Sequence, residues 1–185
     1  MTRMSLAERR QKLITAALTV IEEQGLASAT TRAIAAQAGM PLASFHYAFE
    51  SHQALLREAM GALDEAELAR LEALEVRGDS THEVLLGLLD QHLHDVVAQR
   101  GTQLSLWELA DQALRTPGLE DVPAGWRAKR VALLATKLAD QPDPEGLAEA
   151  LLMLADGVTM RYLMTADELG TRQSMAVWLR QAVAA

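Results

Sequence analysis

The 185-residue chain has no cysteine, which excludes disulfide bonds, thiolate nucleophiles and cysteine-ligated zinc sites. Aromatic side chains make up only 4% of the residues, while leucine and alanine dominate and β-branched residues are scarce, so the composition predicts an all-α protein. No apolar run approaches the roughly 20 residues of a membrane span, and residues 1–11 lack the apolar core of a signal peptide. We therefore expect a cytoplasmic protein of one or two domains.

Motifs of catalysis and metal binding are also missing. The sequence contains no Gly-rich phosphate loop, no Ser-x-x-Lys pair and no Gly-x-Ser-x-Gly elbow, so we do not expect an enzyme. His92 and His94 are two residues apart and would diverge by about 200° on a helix, which prevents both from binding one metal ion. We expect neither a metal nor a cofactor.

The net charge of −8 is unevenly distributed. Residues 1–49 carry five basic and three acidic side chains, whereas the remainder carries 12 basic and 22 acidic ones. A mildly basic amino-terminal segment on an acidic body would orient a protein on DNA and keep the body away from it. An acidic body considered alone is usually only a solvated surface.

The stretch from Thr30 to Phe49 predicts a helix-turn-helix. Thr30 is a suitable N-cap for a first short helix, and Gly39 is suited to end that helix because glycine enters the left-handed region freely. Pro41 then disfavours helical geometry at Met40 and suits the first turn of a second helix. Two short helices joined by a tight glycine turn are typical of this motif.

The second helix is expected to hide one face and present another. Phe45 and Phe49 are four residues apart and both point inward, while Leu42, Ala43 and Ser44 are exposed near its start and His46 and Tyr47 lie off the buried face. Small and hydrogen-bonding residues at the front of a helix suit reading of base edges in the major groove. The alternative is that His46 and Tyr47 pack on neighbouring helices.

The pattern Thr-x-x-x-Ile-Ala-x-x-Ala-Gly, followed by an apolar residue, an aromatic cluster ending in Phe, a polar turn and a Leu-Leu helix, resembles the DNA-binding domain of the TetR family of bacterial repressors. The matching residues are Thr30, Ile34, Ala35, Ala38, Gly39, Met40, Phe45 to Phe49 and Ser51 to Leu56. The resemblance covers residues 8–60 and implies a homodimer that binds a palindromic operator, with a ligand pocket in the rest of the chain. It implies a three-helix DNA-binding domain over residues 1–50 and a helical ligand-binding and dimerisation domain over residues 51–185.

The sequence departs from the family in three places. Pro41 and Ala43 stand where the recognition helix often has a serine cap and a glycine, and His52 stands where the fourth helix often has a phosphate-binding lysine. A neutral histidine can still donate one hydrogen bond, but it lacks the point charge.

The candidate DNA-binding residues lie at the starts of the two short helices and of the helix that follows. Arg32 opposes the helix dipole in a first turn, so its presence calls for a nearby phosphate or, alternatively, for a carboxylate partner. Arg9, Arg10 and Lys12 are expected near the outer face of the first helix, for solubility or for phosphate contact. The predicted DNA-binding set is Thr30, Thr31, Arg32, Pro41, Leu42, Ala43, Ser44, His46, Tyr47 and His52.

Helical periodicity, caps and breaks divide the whole chain into helices. The predicted ranges are 5–24, 51–76, 80–99, 104–115, 126–139, 144–164 and 171–183, besides the two short helices of the motif. The last two are apolar on more than one side and require cover on several faces. We interpret them, paired with their copies, as a four-helix dimer interface, with a larger monomeric core as the alternative. The predicted interface residues are Leu147, Leu151, Leu154, Val158, Met175, Trp178 and Leu179.

A ligand pocket is expected among the helices from Ser80 to Met164. Aromatic and methionine walls suit an apolar or flat molecule, although each such residue is more often plain core. The candidates are His92, Trp107, Trp126, Met153, Met160 and Tyr162. No charge lies on the predicted inner stripes, so a neutral or apolar effector is favoured.

These observations favour a ligand-responsive dimeric transcriptional regulator that acts as a repressor. Its partners are operator DNA, a small effector and a second copy of the chain. The alternatives are a helical interaction protein with a non-functional DNA-binding head and, least favoured, an enzyme. The sequence does not identify the effector or the operator.

Overall fold

The structure is a computed structural model that describes residues 4–182. Within these residues it contains nine α-helices, one turn of 3-10 helix and no strand, which confirms the predicted all-α fold. The helices are α1 (Leu6–Gln24), α2 (Thr31–Gln37), α3 (Leu42–Ala48), α4 (His52–Ala73), α5 (Thr81–Ala98), α6 (Arg100–Leu114), α7 (Val122–Lys137), α8 (Pro144–Thr165) and α9 (Glu168–Ala182), and the 3-10 turn is Leu26–Ser28. None of the helices within the described range is both long enough and apolar enough to span a bilayer.

Side-chain caps account for most of the helix starts. Ser5 and Glu8 form the predicted capping box, in which the Glu8 amide donates to Ser5 Oγ at 3.2 Å and the Ser5 amide donates to the Glu8 carboxylate at 2.7 Å. Helix α9 begins three residues before the predicted Thr171, because Asp167 accepts from the Gly170 amide at 2.9 Å and so caps the helix. Its predicted end at Val183 lies outside the described residues.

Three other helices differ from the predicted ranges by three or four residues at one end. Helix α6 begins at Arg100, four residues before the predicted Leu104. Helix α7 begins at Val122, four residues before the predicted Trp126. The reason is that Pro123 suits the first turn of a helix, where its missing N–H is not required. Helix α4 ends at Ala73 rather than Val76, and Gln91 Nε2 donates to the Glu75 carbonyl beyond its end at 2.9 Å.

The helices form two compact units. The first contains the described residues up to Glu67 together with Leu104–Pro123, and the second contains Leu68–Gln103 and the described residues from Ala124 onwards. Helices α4, α6 and α7 thus have residues in both units. The predicted domain boundary at residue 50 remains a prediction.

In the first unit α1, α2 and α3 pack against one another. Their inner faces carry the apolar residues that the sequence periodicity indicated, and the first part of α4 adds a further stripe. The side chains of Leu13, Ala17, Ile34, Phe45, Leu55 and Met60 are at most 1% exposed. This core fixes the angle at which α3 is presented.

In the second unit α5 packs against α8 and α9. Four residues of the predicted dimer interface, Leu151, Val158, Met175 and Leu179, are buried within the subunit itself. Leu147 and Leu154 are partly buried against the same cluster. These residues therefore contribute to the core of the subunit, and their role in an interface remains a prediction.

Candidate nucleic-acid interface

The turn between α2 and α3 has the geometry that its sequence predicts. The Ala33 amide donates to Thr30 Oγ1 at 3.2 Å, which caps α2 at its start. Gly39 has a φ of +63°, and the Met40 amide donates back to the Ala35 carbonyl at 2.9 Å. Pro41 then precedes α3 in extended geometry and sets its direction. The two short helices form a helix-turn-helix.

Helix α3 buries one face and leaves the other open. Phe45 and Phe49 are 1% and 2% exposed, with ring centroids 5.9 Å apart, as predicted. On the other face Pro41, Ala43 and His46 are exposed, Leu42 is half-buried and Tyr47 is 68% exposed. His46 and Tyr47 are therefore not buried against neighbouring helices, as the alternative required. The open face carries small apolar side chains near its start, and the hydrogen-bonding rings of His46 and Tyr47 near its end.

Ser44 is the exception on this helix. The sequence predicts it to be exposed, but it is 8% exposed, and its Oγ accepts a hydrogen bond from Arg9 Nη1 of α1 at 2.9 Å. The prediction is wrong because Ser44 shares the inner face with Ala48, one turn further on. Its hydroxyl group contacts α1 rather than the solvent.

The start of α2 lies at the surface. Thr30 and Arg32 are exposed and Thr31 is half-buried. Among the residues that the structure describes, no carboxylate forms an ion pair with Arg32. The alternative, in which a carboxylate of the protein is its partner, is therefore not supported. A free guanidinium beside the amide groups of a helix start suits a phosphate.

The side chain of His52 forms a hydrogen bond within the protein. The carbonyl of Ala29 accepts a hydrogen bond from His52 Nε2 at 2.6 Å, and the imidazole is half-buried at the start of α4. The single donor that a neutral histidine could offer to a phosphate from this nitrogen is therefore occupied. The contact instead fixes the start of α4 to the segment that precedes α2.

Arg10 joins α1 to the helices that follow it. Its Nη1 donates to the Ala48 carbonyl at 2.7 Å, its guanidinium pairs with Glu58 of α4, and it lies over the Phe49 ring at 4.5 Å from the centroid. The sequence predicts this arginine near the outer face of α1. Its position one turn before the buried Leu13 was the signal for a partly inward role.

The part of α6 within the first unit also contacts the start of the motif. The Glu108 carboxylate accepts from the Leu26 amide at 2.6 Å, beside the turn that closes α1. On α4, Gln53 donates to the Pro117 carbonyl at 3.0 Å and Arg57 donates to the Gly118 carbonyl. Residues 104–123 are thus hydrogen-bonded to the same unit that presents α3, which no sequence pattern indicated.

The predicted ligand-binding residues occupy different environments. Trp126 and Tyr162 are buried, Met160 is half-buried, and the half-buried His92 hydrogen-bonds Thr159 Oγ1 at 2.8 Å, all within the second unit. Met153 is 66% exposed and lies on the outer side of α8, so within the single subunit it lines no enclosed pocket wall. Trp107 is 40% exposed and belongs to the first unit.

The pH dependence of stability should reflect His92. Burial lowers the pKa of its imidazole below the usual value, against smaller opposing effects of the Ala155 backbone and Asp95. Below pH about 6.5 this histidine binds a proton more readily in the unfolded chain than in the folded protein. The contribution of His92 to the free energy of unfolding is therefore complete above that pH and decreases below it. We expect His92→Gln to reduce the loss of melting temperature between pH 7 and 5.

The exposed His94 on the same helix supplies the control for that titration. His94→Gln should leave the acid-side loss of melting temperature as it is in the unmodified protein. An equal effect of the two substitutions would show that burial of His92 is not the cause.

A set of exposed apolar side chains lies on the last two helices. We call it the α8–α9 apolar face, and it consists of Met153, Met164, Val177 and Trp178, whose exposed fractions range from 46% to 76%. Trp178 is the one predicted interface residue among them. Exposed apolar side chains in such numbers are typical of surfaces at which molecules associate.

Comparisons with known proteins agree with this description. Residues 13–59 match the family model for bacterial regulatory proteins of the tetR family, and residues 80–185 match the model for the tetracyclin repressor-like C-terminal domain. The chain is 26% identical, over 86% of each sequence, to the HTH-type nicotine-responsive transcriptional repressor HdnoR of Paenarthrobacter nicotinovorans.

Two solved structures are similar in sequence as well as in fold. The multidrug binding protein EbrR complexed with ethidium is 33% identical, with a TM-score of 0.68 over 93% of this chain and 98% of that one. A TetR-family member from Streptomyces coelicolor A3 is 32% identical, with a TM-score of 0.70 and the same coverage. A transcriptional regulator from Rhodococcus sp. Rha1 shares the fold, with a TM-score of 0.78 over 95% of this chain and 96% of that one, at 21% identity.

Proposed function

The chain belongs to the TetR family of bacterial regulatory proteins, and we propose that it acts as a ligand-responsive dimeric repressor of transcription on a palindromic operator. Membership makes it a DNA-binding transcriptional regulator rather than an enzyme. The dimer, the symmetry of the operator and the nature of the effector are the parts that we propose.

The open face of α3 is the observation that carries the proposal. Its exposed residues are those that a recognition helix brings to base edges and neighbouring phosphates, and the Tyr47 hydroxyl is free to donate to either. Arg32 at the start of α2 adds a cation for the backbone. We propose DNA contacts for Thr30, Thr31, Arg32, Pro41, Leu42, Ala43, His46 and Tyr47, and an indirect role for Ser44 and His52.

The α8–α9 apolar face supports dimerisation. A two-fold interface uses the same patch of both subunits, so a single apolar face on each is sufficient. We propose that Trp178 and Met153 lie at its centre, in place of the buried residues of the predicted set. Two subunits joined there would place their α3 helices in successive major grooves about 34–36 Å apart.

We propose a small neutral or apolar effector. One relative is nicotine-responsive and another is complexed with ethidium, a flat cation; both molecules are small and aromatic, which supports the flat shape of the effector rather than its lack of charge. In this chain Trp126, Tyr162, Met160 and His92 supply flat and polarisable surfaces in the second unit. An effector releases DNA only to the extent that it binds the DNA-free form more tightly.

Selection of bound sequences from random DNA tests the proposal. We expect a palindromic sequence to be enriched and its affinity to fall steeply with salt, because phosphate contacts release counterions. Metabolites that weaken binding to that sequence would then be effector candidates. Failure to enrich any sequence at low salt would favour the alternative, a helical interaction protein whose head does not bind DNA.

A further inference from the structure

Arg9 of α1 contacts the recognition helix at two places. Its Nη1 donates to Ser44 Oγ at 2.9 Å, and its guanidinium carbon lies 5.3 Å from the centroid of the Tyr47 ring. The two partners are three residues apart on α3, one buried and one 68% exposed. One planar group therefore connects α1 both to the inner side of α3 and to the most exposed aromatic residue on it.

The position of Arg9 is not explained by folding alone. Its Nε is buried, and the described residues provide no hydrogen-bond acceptor for it. Burying such a donor without an acceptor is unfavourable, so a methylene chain would fill the same space at lower cost. An unfavourable arrangement of this kind is retained where the group has a further task.

The task that the geometry indicates is orientation of Tyr47. A ring that is mostly in solvent is not fixed by packing and would exchange between rotamers. The Arg9 guanidinium over one ring face limits that freedom, and the hydrogen bond to Ser44 in turn fixes the guanidinium. A guanidinium is needed here, because a lysine ammonium has no flat face to lie against the Tyr47 ring while it donates a hydrogen bond to Ser44.

We infer that Arg9 is a positioning residue for DNA binding, which holds the Tyr47 side chain in the orientation in which it meets the operator. The inference rests on the proposed function, since it assigns a role within the DNA contact made by α3. Ordering Tyr47 before binding lowers the entropy that is lost when the complex forms. Arg9 thus acts through Tyr47 and is not itself a ligand of a phosphate.

A double-mutant cycle tests this role, with affinity for the selected operator measured by fluorescence anisotropy at several salt concentrations. We expect Arg9→Met to weaken binding about tenfold with little change in the salt slope, and to have no further effect when Tyr47→Leu is already present. Arg9→Lys should weaken binding almost as much as Arg9→Met. The exposed Lys12 on the same helix supplies the charge control, and Lys12→Met should change affinity by less than about twofold.

Other outcomes would overturn the inference. If Arg9→Met and Tyr47→Leu weaken binding independently, Arg9 does not act through Tyr47. If Arg9→Lys restores affinity while Arg9→Met lowers the salt slope by about one, Arg9 contacts a phosphate directly. If Arg9→Met lowers the melting temperature too far for measurement, Ser44→Ala decides: it should weaken binding severalfold, again only when Tyr47 is present. Absence of any specific binding by the unmodified protein would overturn the proposed function as well, which separates that failure from a failure of coupling alone.

Discussion

Replacing Phe45 by alanine is expected to destabilise the first compact unit by about 3–5 kcal/mol, because the substitution leaves a cavity under the recognition helix. The side chain is 1% exposed and packs beside Phe49. Loss of this anchor removes the support of α3, so DNA binding should disappear together with the cooperative unfolding transition of the unit. Chemical denaturation followed by circular dichroism measures the change.

Tyr47 supplies the matched comparison for Phe45. It lies two residues further along α3 but is 68% exposed, so Tyr47→Ala should change stability by less than about 1 kcal/mol. The same substitution should nevertheless weaken binding to the operator by at least tenfold. If Tyr47→Ala were the more destabilising of the two, the assignment of inner and outer faces would be wrong.

Introducing negative charge on the α8–α9 apolar face is expected to separate the subunits. The double substitution Met153→Glu with Trp178→Glu places two carboxylates on each side of the proposed two-fold interface, where they would be desolvated and repel each other. The mass in solution should fall from twice 20.1 kDa to 20.1 kDa in light scattering. Operator affinity should fall by about 10²–10⁴, because the second half-site no longer binds at high effective concentration.

Leu114 provides the control for this experiment. It is 61% exposed at the end of α6 and does not belong to the α8–α9 apolar face. Leu114→Glu should leave mass and affinity unchanged. If the double variant remained a dimer while Leu114→Glu did not, the interface would lie elsewhere on the subunit.

The sequence was sufficient for the helices and for the motif, because local signals determine both. The Ser5 capping box, the Thr30 cap and the left-handed Gly39 each act over a few residues, so they can be read without knowing the rest of the fold. The inward pair Phe45 and Phe49 follows from helical spacing alone. These elements determine which face of α3 is open.

The sequence was insufficient where one residue has partners far along the chain. The buried Ser44 hydroxyl accepts a hydrogen bond from Arg9, 35 residues earlier, and His52 donates to a carbonyl 23 residues before it. Helices α8 and α9 are apolar on several sides, and periodicity does not show which side meets α5 and which meets solvent. The predicted interface set therefore includes residues of the subunit core, and the predicted pocket set includes the exposed Met153.

Affinity for an operator whose half-sites are moved apart tests the central claim most directly. The account predicts that inserting about five base pairs between the half-sites of the selected sequence lowers affinity at least about 100-fold, because a dimer of fixed spacing cannot turn its second α3 to the opposite side of the duplex. Equal affinity for the original and the lengthened sequence would show that each subunit binds DNA alone, and would contradict the account.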